Sequence, residues 1–152
     1  FKDGVTKDGR IVARKVTTYA DSGAYSRHTP YAVTKHAANI AGPYNIPNVW
    51  LDVYCVYTNR QPSSAMRGFG VTPASFALEV QMDKIAETAG MDPWEIRFLN
   101  AYRNGDMKPY RKVAQDATLI ETMQAAAKMV GHELPEHLLA MSSWDKRGGD
   151  NG

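Results

Sequence analysis

Cysteine is almost missing: Cys55 is the one cysteine among 152 residues. An intrachain disulfide is therefore excluded, as is any iron–sulfur or zinc site built from cysteines of this chain alone. No apolar run approaches the roughly 18 residues that cross a bilayer as a helix, and the N-terminus lacks the charged-then-apolar order of a signal peptide. No membrane span is expected, and the cytoplasm is the expected location. Runs of like charge are also absent. Lys and Arg alternate with Asp and Glu to a net charge of +2, too little to argue for a nucleic-acid partner. There is no internal repeat and no low-complexity tract. Finally, no methionine starts the chain; Phe1 leads straight into an extended pattern, which suggests a fragment of a longer protein.

What is present fits one globular domain. The length is that of a single domain, and 43% hydrophobic with 22% charged residues suits a folded chain rather than a disordered one. "FKDGVTKDGRIVARKVTTYA" reads as a hairpin turning at Asp8-Gly9. "YAVTKHAANIAG" has helical composition and stops at Gly42-Pro43. In "NVWLDVYCVYT", Val49, Leu51, Val53, Cys55 and Tyr57 share one face at period two, the clearest strand pattern in the chain.

Three helices are expected to follow. The first is capped by Thr72 with Pro73 at its first position, carries Leu78, Met82, Ile85 and Ala89 on one face, and ends at Gly90. Asp92 to Glu95 resembles a capping box for the second, with Ile96 and Leu99 facing the core. Thr118 and Glu121 form the same kind of start for the third, which buries Leu119, Met123, Ala126 and Val130 and closes at Gly131. Strands first and helices later give an α+β fold: an N-terminal hairpin and strands with a short helix, then about three helices. The expected organisation is a partial domain over 1–131 and a polar, poorly ordered tail over 132–152.

The sharpest feature is "MRGFGV", residues 66–71, and the residues alone leave three readings open. It fits a strand-to-helix loop in which Gly68 and Gly70 supply positive φ. It also fits the first half of an RNA-binding pattern in which ring-bearing strands stack bases, although Thr72-Pro73 starts a helix where that pattern continues as a strand. Third, it fits a cofactor or substrate loop, with bare backbone for close approach, amides before a helix N-terminus and Phe69 to stack a flat ligand. The histidines add nothing by spacing. Pro135 separates His132 from His137, and His28 and His36 have no evident partner. Ser63 and Ser64 sit in no nucleophile-elbow pattern, and Lys35 reads as a surface cation.

At "TNRQPSSAMRGFG", followed by "LEVQMDKIAETAGMDPWEIRFLNAYRNGD", the chain resembles the molybdenum hydroxylases. The likeness is to the molybdopterin-binding large subunit of the xanthine dehydrogenase and aldehyde oxidase family. It extends upstream through "DGRIVARKVTTYADSGAY" and "GPYNIPNVWLDVYCVYTN", covering residues 1–125 or so.

This resemblance implies that Arg67, with Gly68, lies beside the molybdenum and its pterin, Arg67 mainly through its backbone. Phe69 is the ring that packs on a planar substrate. Lys35 stands where purine-oxidising members hold a substrate-binding arginine. An ammonium cannot reproduce the two-pronged grip of a guanidinium, so xanthine is not the expected substrate; a carboxylated or other heteroaromatic, or an aldehyde, fits as well. The family hydroxylates an electron-poor carbon with the molybdenum cofactor and passes electrons through Fe–S clusters to FAD or another acceptor on other domains or subunits. No catalytic residue falls in this chain, since the family's glutamate base and glycine-rich molybdenum loop have no counterpart here. The chain alone is expected to bind no cofactor and to be inactive, its partners being the remaining segments of the subunit. The alternatives are a single-stranded RNA-binding module using Arg67 to Gly70, and a cofactor-free interaction domain.

Overall fold

A computed structural model describes residues 1–146. The glycine-rich end of the tail, residues 147–152, lies outside the described residues. β1 (Lys2–Val5) and β2 (Ile11–Gly23) form the expected hairpin. Its turn is closed by the Thr6 amide on the Arg10 carbonyl and the Gly9 amide on the Thr6 carbonyl, both at 2.9 Å. α1 (Thr29–Asn39) then crosses over to β3 (Asn48–Tyr57), which pairs parallel to β2. The result is a three-stranded sheet in the order β1-β2-β3. Parallel neighbours need such a crossover, which fixes α1 against the sheet. α2 (Val71–Ala89), α3 (Pro93–Asn100), α4 (Leu119–Met129) and the short α5 (Glu136–Leu139) complete the α+β fold.

The main core forms where Ile11 of β2 meets Leu78, Met82 and Ile85 of α2 and Ile96 of α3. Each such side chain contributes about 1.5–3 kcal/mol on burial. Val16, Ile40 and Ala74 make a second cluster that joins β2, the end of α1 and the first turn of α2. A buried ion pair joins the two hairpin strands and is bonded in turn to α2. Arg14 donates to both Asp3 oxygens, at 2.7 and 3.2 Å, and Asp3 also accepts from Gln81 at 2.9 Å. Removing one partner of such a pair strands a buried charge, at a typical cost of about 3–5 kcal/mol. Asn100 is buried and fully engaged: it accepts from the Ile11 amide and donates to the Gly9 and Ile96 carbonyls. The opposite face of the sheet is open, with Trp50 and the stacked pair Tyr19 and Tyr54, ring centroids 5.1 Å apart, exposed upon it.

The helix starts differ from their sequence reading in instructive ways. α2 is capped by Gly70, in the left-handed region, and not by Thr72. The Val71 amide already donates to the Gly68 carbonyl at 3.0 Å, so the helical ladder begins early and Pro73 falls in its third position. Asp92 does cap α3, accepting from the Trp94 and Glu95 amides, but Glu95 turns to His137 at 3.1 Å instead of closing the box. Phe98 is buried as well as Ile96, each in a different cluster, while Leu99 is only half-buried. Thr118 precedes α4 without a side-chain cap bond. Glu121 accepts instead from the Ser142 hydroxyl and the Ser143 amide, both at 2.8 Å. That tether rotates the buried stripe of α4 to Ile120 and Ala127, leaving Ala126 and Val130 exposed.

The same tether corrects the expectation for the start of the tail. Leu134 and Leu138 join Phe98, Ala101, Ile120 and Ala127 in one cluster, and Ser143 is buried. Pro135 starts α5, so a residue read as a helix breaker places Leu138 over α4.

Burial opposes ionisation of Glu121, but the bonds from Ser143 and Ser142 outweigh it and hold the carboxyl at about 2, below its ordinary 4.5. A depressed folded-state value stabilises the fold fully above the unfolded value, and the contribution is lost as pH falls toward 2. Glu121→Gln should therefore lower stability by about 1–2 kcal/mol at neutral pH. Denaturant midpoints should show that gap closing between roughly pH 5 and pH 2; a gap that does not change with pH would contradict the assignment.

Candidate functional site

The segment from Thr58 to Gly70 connects β3 to α2, and its first half is laced to the end of β2. The Thr58 amide donates to the Gly23 carbonyl at 3.1 Å, the Ala24 amide to the Arg60 carbonyl at 3.0 Å, and the Ser63 amide to the Ser22 carbonyl at 3.0 Å. Gly23 is required there, since a Cβ on it would lie 2.1 Å from the Gln61 carbonyl oxygen. Side chains reinforce the seam. The Thr58 hydroxyl, the Gly23 amide and Arg60 hold the Asp21 carboxyl below the usual carboxylate range. The Thr29 hydroxyl donates to the Ser63 carbonyl at 3.0 Å, and His28 Nδ1 lies 3.3 Å from the Ser64 hydroxyl.

The second half is a tight turn. Gly68, Phe69 and Gly70 all have positive φ, at 98°, 49° and 93°. For Phe69 this costs about 1–2 kcal/mol, and it persists because its neighbours hold it: the Phe69 amide donates to the Met66 carbonyl at 2.8 Å. Gly70 lies flat on α1. A Cβ there would come 2.1 Å from the Ala32 carbonyl oxygen, so no other residue fits without moving the helix. His36 of α1 completes the contact, its Nδ1 3.3 Å from the Gly70 carbonyl and its Nε2 3.3 Å from the Thr18 hydroxyl of β2.

The sequence-predicted residues are thereby placed. Arg67 is exposed and forms no ion pair among the described residues, Met66 is 79% exposed, and Phe69 keeps 37% of its surface accessible despite its constrained backbone. Lys35 is exposed on α1, one residue from the His36 contact. The fold thus brings the Lys35 helix and the 66–70 turn together, although no hydrogen bond joins the Lys35 ammonium to Arg67 or Phe69 among the described residues. Phe69 stands in a turn, not on a strand, which removes the geometry that the RNA-platform reading requires.

His28 and His36 have partners after all, a correction to their reading as isolated residues. Those partners lie 36, 18 and 34 positions away, beyond any spacing signal. His132 stacks on Trp94 with centroids 5.4 Å apart, and no cluster of three or more His, Cys, Asp or Glu side chains suited to a metal ion occurs among the described residues. A cleft of about 1210 Å³ between the β1–β2 hairpin and residues 105–111 contains none of the loop residues. The constrained turn, not cleft size, locates the site.

The turn suits an anionic, oxygen-rich group. Arg67 supplies a cation with no ion-pair partner among the described residues, and α2 begins with neither an acidic residue in its first turn nor a side chain capping its amides, although the Val71 amide is already bonded to the Gly68 carbonyl.

A family profile described as "Molybdopterin cofactor-binding domain" matches residues 1–101. The nicotinate dehydrogenase large molybdopterin subunit of Eubacterium barkeri is 42% identical over 137 residues, covering 87% of this chain and 32% of that protein. The aldehyde oxidoreductase of Megalodesulfovibrio gigas is 41% identical over 108 residues, covering 71% of this chain and 12% of that protein. Among solved structures, aldehyde oxidoreductase from Desulfovibrio gigas superposes with a TM-score of 0.76 at 34% identity, over 84% of this chain and 14% of that one. Quinoline 2-oxidoreductase from Pseudomonas putida 86 does so with a TM-score of 0.75 at 28% identity, over 82% of this chain and 17% of that one. The chain thus spans a third or less of the length of these relatives. It belongs to the molybdopterin cofactor-binding domain family of the molybdenum hydroxylases.

Proposed function

We propose that the chain is part of the molybdenum-cofactor subunit of an oxidoreductase that hydroxylates an electron-poor carbon of a heteroaromatic or aldehyde substrate. In this reading the 58–70 segment forms one wall of the active site. The observation that carries it is the turn locked on α1, which holds Arg67 and Phe69 outward in a chain of this family. When bound, the molybdenum–molybdopterin group supplies the redox chemistry at the substrate carbon. The chain's own residues bind and orient. The Arg67 and Gly68 backbone would hold the cofactor, with Arg67 on the side of its metal. The Phe69 ring packs on the flat substrate, whose position a constrained backbone fixes better than a mobile loop would. Lys35 offers a compact cation for a substrate carboxylate. A 42% identical relative named for nicotinate, a carboxylated pyridine, supports that choice.

The remaining segments of the subunit, with Fe–S and FAD domains or subunits, complete the enzyme. The open sheet face bearing Trp50, Tyr19 and Tyr54 suits packing against such segments. No helix among the described residues is long and apolar enough to cross a membrane.

The chain by itself should purify without stoichiometric molybdenum and without turnover of a heteroaromatic substrate. Metal analysis with a dye-reduction assay checks this, and stoichiometric metal with turnover would contradict it. In the complete enzyme, Lys35→Ala should raise KM for a carboxylated heteroaromatic about tenfold or more, the worth of a charge-assisted hydrogen bond. KM for an uncharged aldehyde should stay within about twofold. Equal losses on both substrates would remove Lys35 from carboxylate recognition.

A further inference from the structure

The imidazole of His36 lies between two elements that would otherwise be joined only by packing: Thr18 on β2, and Gly70 at the end of the turn. Its two contacts differ in kind. The Gly70 carbonyl is an acceptor only, so a hydrogen bond at Nδ1 requires a proton there. The Thr18 hydroxyl both donates and accepts, so it adapts to whatever Nε2 presents. In the neutral ring the carbonyl therefore selects the tautomer, with Nδ1–H donating to Gly70 and the Thr18 hydroxyl donating to Nε2. Gly70 cannot press closer to α1 than this contact sets, because its bare Cα already lies against the Ala32 carbonyl.

We infer that His36 is the positioning residue of the 66–70 turn: as the Nδ1–H tautomer it fixes the Gly70 carbonyl, and through it the left-handed backbone that presents Phe69 and Arg67. It touches no reacting atom. Its consequence for substrate binding rests on the proposed function above, whereas its hold on the turn does not.

The tautomer is read directly on the full chain by long-range proton–nitrogen NMR of the His36 ring at pH 8. The expected pattern is a protonated Nδ1 and a bare Nε2; a protonated Nε2 with a bare Nδ1 overturns the inference. Two substitutions separate a directional bond from packing. His36→Asn keeps an N–H donor near the place of Nδ1, while His36→Gln keeps one near the place of Nε2. Amide exchange at Phe69 and Val71 should accelerate roughly fivefold to tenfold in His36→Gln, as expected for loss of one hydrogen bond. It should stay within about twofold of the parent in His36→Asn. Equal acceleration in both, or better retention by the larger Gln, means that His36 only fills space and overturns the inference.

In the complete enzyme, His36→Gln should raise KM more than it lowers kcat, with His36→Asn restoring KM. If Phe69→Ala in that enzyme leaves KM unchanged, the reading of the turn as a substrate wall fails separately, while tautomer and exchange still decide the role of His36.

Discussion

The structure turns on the contact between Gly70 and the carbonyl of Ala32. It leaves no room for a single added carbon, so the end of the loop and the first turn of α1 occupy one fixed relation. Because α1 is the crossover between two parallel strands, its own position is set by the sheet. The path from β2 through α1 and β3 then returns the chain to its starting edge, where the seam of Gly23, Ser22 and Thr29 takes hold of residues 58–63. A loop anchored at both ends has little choice left, and Phe69 accepts a backbone conformation that an isolated turn would refuse.

The rest of the fold supplies rigidity behind that wall. Arg14 and Asp3 join the two hairpin strands through a pair buried from solvent, Gln81 of α2 donates to that Asp3, and Asn100 binds the same hairpin to α3 through its side-chain oxygen and nitrogen on backbone partners. Buried polar groups of this kind specify register, because any slip leaves them unpaired. What lies away from these anchors is different in character. The outer sheet face shows Trp50 and Tyr54 to solvent, and β3 ends the sheet with no strand beyond it among the described residues. Surfaces of that sort suit a chain that spans only a third or less of the length of its relatives.

Much of this was legible in the residues. Period two in 49–57, the Asp8-Gly9 turn and Asp92 before Pro93 each encode local geometry through local chemistry, and the structure follows them. In the loop motif Gly68 and Gly70 do take positive φ, and the close approach that Gly70 makes is to α1. What stayed hidden depends on contacts between distant positions. Thr72 has the chemistry of a cap, yet the left-handed turn before it starts the helix sooner. Glu121 has the spacing of a capping box, yet two serines more than twenty positions on outbid the local partner and rotate the helix. His36 is silent in sequence because neither Thr18 nor Gly70 stands at a spacing that any local rule describes.

The central claim is that this chain builds and holds the turn by itself, before any cofactor or partner segment is present. Amide hydrogen exchange on the chain alone, with its Gly70→Ala variant alongside, tests this most directly. The account predicts slowed exchange at Phe69 and Val71 in the parent, whose amides are bonded to Met66 and Gly68. It predicts loss of that protection, together with faster exchange in α1, when a methyl group is forced against Ala32. Unprotected exchange at both amides in the parent, or protection that survives Gly70→Ala unchanged, would contradict it.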